Sequence, residues 1–143
     1  MTYETKTAAL RYAIMHICEL PMIRELIGFM SGETAYLYYL HTTKDKETCL
    51  SDISRMLGVT KGRITAMTAS LSRKEMVSPK TDPEDRRRLI LTLTDKGRAF
   101  IVTKQQRIDR FLDKYIQTVG EEKTDRVIQT LKDAMDGMKE VAF

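Results

Sequence analysis

Two apolar runs at helical spacing, separated by a glycine, occupy the middle of this 143-residue chain. Gly58 follows the first run, and glycine takes the left-handed conformation of a helix C-terminus with the least strain. Thr60 then stands where a hydroxyl can cap the amides that open a second helix. The residues on the inner faces of the two runs are Leu50, Ile53, Leu57, Ile64, Met67 and Leu71. Helix, glycine-containing turn and helix at this spacing predict a helix-turn-helix.

The next segment changes from helical to alternating periodicity. Val77 and Lys80 precede a stretch rich in turn formers at 81–85, and residues 89–93 then alternate as in a strand. Pro83 cannot lie in a central strand, which supports the turn. The pattern predicts a hairpin with three basic residues near its tip: Arg86, Arg87 and Arg88.

Helices are predicted on both sides of this centre. Residues 6–20 have helical periodicity that Pro21 interrupts, and residues 22–30 continue as a short second helix. Residues 33–41 favour a helix, although a cluster of tyrosines is equally typical of a strand: Tyr36, Tyr38 and Tyr39. Ser31 or Gly32 is a candidate cap for that segment.

The C-terminal third is predicted to be helical as well. Thr94 is expected to cap a long helix that Gly120 ends, and Glu121 opens a last helix with a further apolar stripe. The whole chain, with no internal repeat or flexible linker, is interpreted as one domain.

The positive charge of the chain is concentrated in one stretch. The net charge is +4, but residues 60–98 contain ten basic and five acidic side chains, so the remainder carries −1. A clustered basic segment is typical of nucleic-acid binding. A solvated basic surface is the alternative.

The segment Leu50–Gly62 resembles the helix-turn-helix of the multiple antibiotic resistance regulator (MarR) family. The residues Asp82–Arg87, followed by Leu91–Gly97, resemble the wing of that family and the start of its next helix. The resemblance implies a mainly α fold with a small β wing, in which a winged helix-turn-helix is flanked by dimerisation helices. It places the winged helix-turn-helix at 48–98 and the dimerisation helices at 1–30 and 100–143, within a single domain of 1–143.

The family resemblance also implies how DNA is bound. A homodimer would place two recognition helices, each at about residues 60–74, in major grooves about 34 Å apart on a pseudo-palindromic promoter or operator. Asp85 and Arg87 match the Asp-x-Arg pair of the family, in which the carboxylate steadies the wing and the arginine contacts the minor groove. Glu75 stands where the family usually has glycine, so either it adopts a left-handed conformation or the helix ends differently.

The candidate DNA contacts combine the polar face of the second helix with the wing. Arginine can bond guanine O6 and N7 as a fork, and hydroxyls suit phosphates or several base edges. A charge-assisted bond from Asp85 would hold Arg87. The predicted DNA-binding residues are Thr60, Lys61, Arg63, Thr65, Thr68, Arg73, Lys80, Asp85, Arg86, Arg87 and Arg88.

Binding near a promoter would block polymerase, so the predicted regulator is a repressor that a small lipophilic or phenolic effector releases; activation is the alternative. Methionine walls adapt to varied apolar ligands, and the candidate pocket residues are Met15, Met22, Met30 and Tyr36. A thiol-based redox regulator acting through Cys18 is an alternative, although structural thiols are the better interpretation for both Cys18 and Cys49. A helical protein-interaction module without DNA binding is another, and it predicts that residues 86–88 can be neutralised without loss of function.

Enzymatic, metal and membrane functions find no support in the sequence. The histidines and cysteines lack the spacing of a structural zinc site, and no phosphate loop or nucleophile elbow is present. No apolar run reaches the roughly 18–20 residues of a membrane span, and no signal peptide is recognised. We therefore expect a cytoplasmic protein that is not an enzyme and needs no cofactor.

Overall fold

The computed structural model describes residues 2–43 and 47–139, which form seven helices and three strands. The elements are α1 (Tyr3–Glu19), α2 (Pro21–Phe29), α3 (Gly32–Thr42), β1 (Thr48–Cys49), α4 (Leu50–Leu57), α5 (Lys61–Arg73), β2 (Val77–Thr81), β3 (Leu89–Leu93), α6 (Asp95–Val119) and α7 (Glu121–Met138). The predicted fold class, mainly α with a small β wing, is confirmed.

The chain divides into two compact units, Met1–Gln106 and Arg107–Phe143. The first unit contains every strand of the described residues and the helices α1 to α5. The second contains the C-terminal half of α6 and all of α7. None of the described helices combines the length and apolarity needed to cross a membrane.

The N-terminal helices begin where local chemistry predicts. Thr2 caps α1, its Oγ1 accepting from the amide of Thr5 at 3.3 Å. Pro21 is the first residue of α2, where its missing N–H costs no helical hydrogen bond. The tyrosine-rich segment is helical rather than extended, because helical spacing buries one face of α3: Ala35, Tyr36, Leu37 and Leu40.

The predicted turn of the helix-turn-helix is confirmed at both of its signals. Gly58 ends α4 in the left-handed conformation with φ 62°. Thr60 caps α5, its Oγ1 accepting from the amide of Arg63 at 3.3 Å. Beneath the two helices lies the core of the first unit, which includes Ile53, Ile64 and Leu71.

The C-terminus of α5 is formed by a non-glycine residue in left-handed geometry. Glu75 has φ 58° and is the only described residue other than glycine with a positive φ. Its amide donates to the Ser72 carbonyl at 3.0 Å, and the Met76 amide donates to the Leu71 carbonyl at 2.9 Å. These two bonds are the Schellman arrangement that satisfies the last carbonyls of a helix. Of the two alternatives for Glu75, the left-handed one is therefore confirmed.

The three strands form one antiparallel sheet in the order β1-β3-β2. The hairpin pairs Val77 with Leu93 and Thr81 with Leu89, which confirms the two predicted strands. Pro79 lies in β2, an edge strand, where a missing N–H is tolerated. The two-residue strand β1 pairs Thr48 with Leu91 and was not predicted.

A glycine in the first turn of α6 lets that helix pack closely against the residues that follow α5. Thr94 caps α6 as predicted, accepting from the Gly97 amide at 3.0 Å, and donates to the Glu75 carbonyl at 2.7 Å. A Cβ at Gly97 would lie 2.1 Å from the carbonyl oxygen of Met76. Only glycine lets α6 approach the backbone at Met76 this closely.

Candidate nucleic-acid interface

All but one of the predicted DNA-binding residues of α5 lie on its exposed face. Lys61, Arg63, Thr65 and Arg73 are exposed, as the prediction requires. Thr68 is instead buried, with 6% of its surface exposed, and its Oγ1 donates to the Ile64 carbonyl at 2.8 Å. The prediction that Thr68 lies on the exposed face is wrong, because its helical position turns it towards α3.

The hydroxyl of Thr68 meets that of Tyr36 inside the core. The two oxygens are 2.8 Å apart, and Tyr36 donates because the Thr68 proton is already directed to a carbonyl. Tyr36 has no exposed surface, and its burial raises its pKa to about 12. Tyr36 was predicted to line an effector pocket, but it belongs to the core and ties α3 to α5.

A second polar contact joins α3 to the end of α5. The Lys74 ammonium donates to the Glu33 carboxylate. The hydrogen bond from Lys74 is the largest cause of the lowered pKa of Glu33, with a further bond from Ser70. Helix α5 is thus held against α3 near its middle and at its C-terminus.

A buried carboxylate that sequence reasoning missed organises the wing. Asp82 is 5% exposed, and its Oδ1 accepts from the Glu84 amide at 2.9 Å. Its backbone amide donates to the Arg88 carbonyl at 2.9 Å, and its Oδ2 lies 3.7 Å from Arg88 Nη1. The sequence signal was the Asp-Pro-Glu order, since aspartate often bonds the amide two residues on.

Asp85 also steadies the wing, but not in the predicted way. Its Oδ1 accepts from the backbone amide of Arg87 at 2.9 Å, and no side-chain ion pair joins the two residues. The Arg87 guanidinium is therefore left exposed. Arg86 and Lys80 are exposed as well, the latter on the edge strand β2.

Arg88 turns from the wing towards the start of α4. The pKa of Arg88 is raised mainly by the hydrogen bond and the electrostatic interaction with Cys49, and further by the nearby charges of Asp82 and Asp52. Cys49 caps α4, its amide donating to Asp52 Oδ2 at 3.0 Å. Its buried thiol donates to the same oxygen at 3.0 Å and lies 2.9 Å from Ser51 Oγ. These bonds lower the pKa of Asp52 and fit the structural interpretation of Cys49.

One concave groove brings the start of α5 and the wing together. Lys61 contributes from α5, Arg87 and Arg88 from the wing, and Arg55 from α4. Arg55 was not among the predicted residues, since it lies in the helix before the recognition helix and only the fold brings it next to the wing. Apolar side chains also line the groove, among them Leu50, Ile64 and Leu89.

The remaining predicted residues lie elsewhere. Met15 and Met30 are exposed and Met22 is half-buried. Met30 lines an apolar cleft between α3 and α4 together with Ala35, Tyr38, Tyr39, Thr42, Met56 and Leu57. Cys18 is an exposed thiol on α1. Within the described residues, no three His, Cys, Asp or Glu side chains lie close enough to hold a metal ion.

Comparison with known proteins agrees with this geometry. Residues 31–97 match the family described as winged helix DNA-binding domain. An HTH-type transcriptional regulator of Bacillus subtilis, YdgJ, is 29% identical over 85 residues, which cover 59% of this chain and 52% of YdgJ. The HTH-type transcriptional repressor YetL of the same organism is 25% identical over 116 residues, covering 76% of this chain and 65% of YetL. The chain thus spans less than two thirds of either relative.

A solved structure extends the likeness of fold to almost the whole chain. Streptococcus pneumoniae FabT in complex with DNA superposes with a TM-score of 0.69 at 19% identity, covering 99% of this chain and 100% of FabT. Residues 31–97 therefore match a winged helix DNA-binding domain, and the fold of almost the whole chain is that of FabT. Both findings agree with the resemblance to the MarR family that the sequence predicts.

Proposed function

We propose that this protein regulates transcription in the bacterial cytoplasm by binding double-stranded DNA sequence-specifically as a homodimer, and that it represses. The groove that joins Lys61 of the recognition helix to Arg87 of the wing is the observation that carries the proposal. Repression is supported by the relative YetL, which is described as a repressor. Binding to a duplex is supported by FabT, whose structure holds DNA.

The exposed side of α5 suits the major groove. Arg63 and Lys61 lie in its first turn, where a recognition helix reaches base edges, and Arg63 can form a fork with guanine. The wing presents exposed Arg86 and Arg87 on a hairpin that Asp82 and Asp85 hold in shape. A guanidinium held in this way fits a narrow, electronegative minor groove. The DNA phosphates are contacted by the remaining predicted residues: Thr60, Thr65, Arg73 and Lys80.

A second copy of the chain is the partner that the terminal helices require. None of the 17 residues of α1 is buried, yet Leu10, Ile14 and Ile17 form an apolar stripe. Helix α7 exposes a similar stripe in the second unit: Val127, Ile128, Leu131, Met135 and Met138. Most of the stability of a helix in a protein comes from packing its apolar face, and stripes with alternating three- and four-residue spacing pack against like helices. A symmetric dimer covers both stripes.

Release by a small apolar effector is the regulatory part of the proposal. The cleft around Met30 is lined by apolar and tyrosine side chains and by the Thr42 hydroxyl, which suits a phenolic or lipophilic molecule. The cleft lies against α3, which holds α5 through Tyr36 and Glu33. An effector that favours another placement of α3 would change DNA affinity through its differential affinity for the two states. A melting temperature unmoved by a panel of lipophilic acids and phenols contradicts this part.

Fluorescence anisotropy with DNA from upstream of the protein's own gene tests the proposed function. Binding should be tight and should weaken steeply with salt, because contacts with several phosphates release counterions. Arg87→Ala should cost about 1–3 kcal/mol of binding free energy. Arg24→Ala, which removes an exposed arginine of α2 outside the groove, should change little. Sedimentation velocity should give twice the 16.5 kDa chain mass.

The opposite results would overturn the proposal. If neither upstream DNA nor a library of genomic fragments binds more tightly than random DNA, the protein is not a sequence-specific regulator. Full activity in cells after neutralisation of residues 86–88 would favour the protein-interaction module. A monomer in solution would remove the homodimer.

A further inference from the structure

We propose that the groove between α4, the start of α5 and the base of the wing binds one backbone phosphate of DNA, and that Arg55 contacts this phosphate. This inference rests on the proposed DNA binding and deepens it. It adds a residue outside the recognition helix and the wing, and it assigns that residue to the backbone rather than to the bases.

The groove concentrates positive charge from three separate elements. Arg55 comes from α4, Lys61 from the first turn of α5, and Arg87 and Arg88 from the wing. In the part of the chain that the structure describes, Arg55, Lys61 and Arg87 have no ion-pair partner within 4 Å. Cations that fold together without a counter-charge leave a site for an external anion.

The two carboxylates beside the groove do not neutralise it. Asp52 accepts from the amide and the thiol of Cys49. Asp82 is buried and accepts from the amide of Glu84, with Arg88 beside its other oxygen. Both acids are held by these bonds, and among the described groove cations only Arg88 lies within 4 Å of one of them. The charge of Asp52 also acts on Arg55 and Arg88 without a direct ion pair. The described residues that line the groove include four cationic side chains and no acidic one.

The shape and lining of the groove favour a phosphate diester over a base edge. Arg55 lies on α4, whereas base edges in the major groove are read by the helix that enters it, which here is α5. Leu89 keeps 37% of its surface exposed at the groove, beside the buried Ile64. Apolar walls raise the local strength of charge interactions and offer a surface for the deoxyribose next to a phosphate.

The test compares Arg55→Gln with Arg24→Gln, the latter removing an exposed arginine on α2 that does not line the groove. Full-length proteins are titrated by anisotropy against a mixed-sequence duplex of about 30 base pairs, long enough for two half-sites one turn apart. The titrations are repeated against the upstream fragment and over a range of salt. Loss of one phosphate contact should reduce the slope of log K against log salt by about 0.9 for each site engaged. Arg55→Lys should restore the slope, and equal melting temperatures exclude unfolding.

We expect Arg55→Gln to weaken binding to both duplexes by the same factor, about 3- to 10-fold, and Arg24→Gln to leave both affinities and the slope unchanged. A loss confined to the upstream fragment with an unchanged slope would mean that Arg55 reads a base, which overturns the phosphate assignment. If Arg55→Gln binds both duplexes with the wild-type affinity, the phosphate assignment is also overturned. The proposed DNA-binding function would still stand in that case, because the wild-type protein binds. If wild-type protein binds no duplex but its Arg55 amide responds to inorganic phosphate in NMR titration, the groove holds a free phosphate and DNA binding fails.

Discussion

Glu75→Gly is expected to stabilise the folded protein by about 0.5–1 kcal/mol. A residue with a Cβ in the left-handed conformation costs about 1–2 kcal/mol, and Glu75 has φ 58°. Glycine removes that cost but adds about 0.5–1 kcal/mol of unfolded-chain freedom, so the two terms partly cancel. The Glu75–Lys96 ion pair spans 3.4 Å between side chains that are 81% and 58% exposed, so its loss matters little.

Chemical and thermal denaturation measure this difference. For a chain of this size, 1 kcal/mol corresponds to a shift of about 2–4 °C in the melting temperature. Glu75→Ala is the matched control, because it removes the same ion pair but keeps the Cβ at the left-handed position. We expect Glu75→Ala to melt at or slightly below the wild-type temperature and Glu75→Gly above it. DNA affinity should be the same in all three, since Glu75 does not line the groove.

The difference in stability between Glu75→Gly and Glu75→Ala tests whether the left-handed geometry at residue 75 is strained. If glycine is no more stable than alanine, the left-handed geometry at Glu75 is not a source of strain, and the end of α5 does not have the Schellman form described above.

Three further predictions concern the core and the wing. Gly97→Ala should destabilise by about 1–3 kcal/mol, because its Cβ would lie 2.1 Å from the Met76 carbonyl oxygen; an unchanged urea midpoint contradicts this. Tyr36 has a folded-state pKa of about 12, above the ordinary 10.0, so it holds its proton longer when folded. The stabilisation from this shift should be complete below pH 10 and lost as the pH rises through 12. In Tyr36→Phe, the unfolding free energy should therefore fall less steeply between pH 10 and 12 than in the wild type. An equal slope in both proteins refutes the prediction. Asp82→Ala should cost about 1–3 kcal/mol and speed hydrogen exchange at the Glu84 amide, and unaltered exchange would deny Asp82 its role in the wing.

Local chemistry was enough to determine much of this protein. Gly58 and Thr60 fix the turn of the helix-turn-helix, since left-handed geometry and hydroxyl capping depend on neighbouring residues alone. The hairpin was likewise predictable from alternation in residues 89–93 and the turn formers before them. The clustered charge of residues 60–98 likewise predicts a nucleic-acid partner from the sequence alone.

Tertiary structure decided what depends on residues far apart in the chain. Thr68 was predicted to lie on the surface, although its spacing from Ile64 and Leu71 puts it on the inner face of α5. Only the fold shows that its hydroxyl meets that of Tyr36, 32 residues away. The strand β1 is two residues long, too short for a periodic pattern, and exists only because β3 pairs with it. Arg55 lies apart from the basic segment in sequence, and the packing of the wing beside α4 places it in the same groove. Spacing along the chain determines on which face of a helix or strand a side chain lies. Which residues pack against that face depends on the tertiary structure.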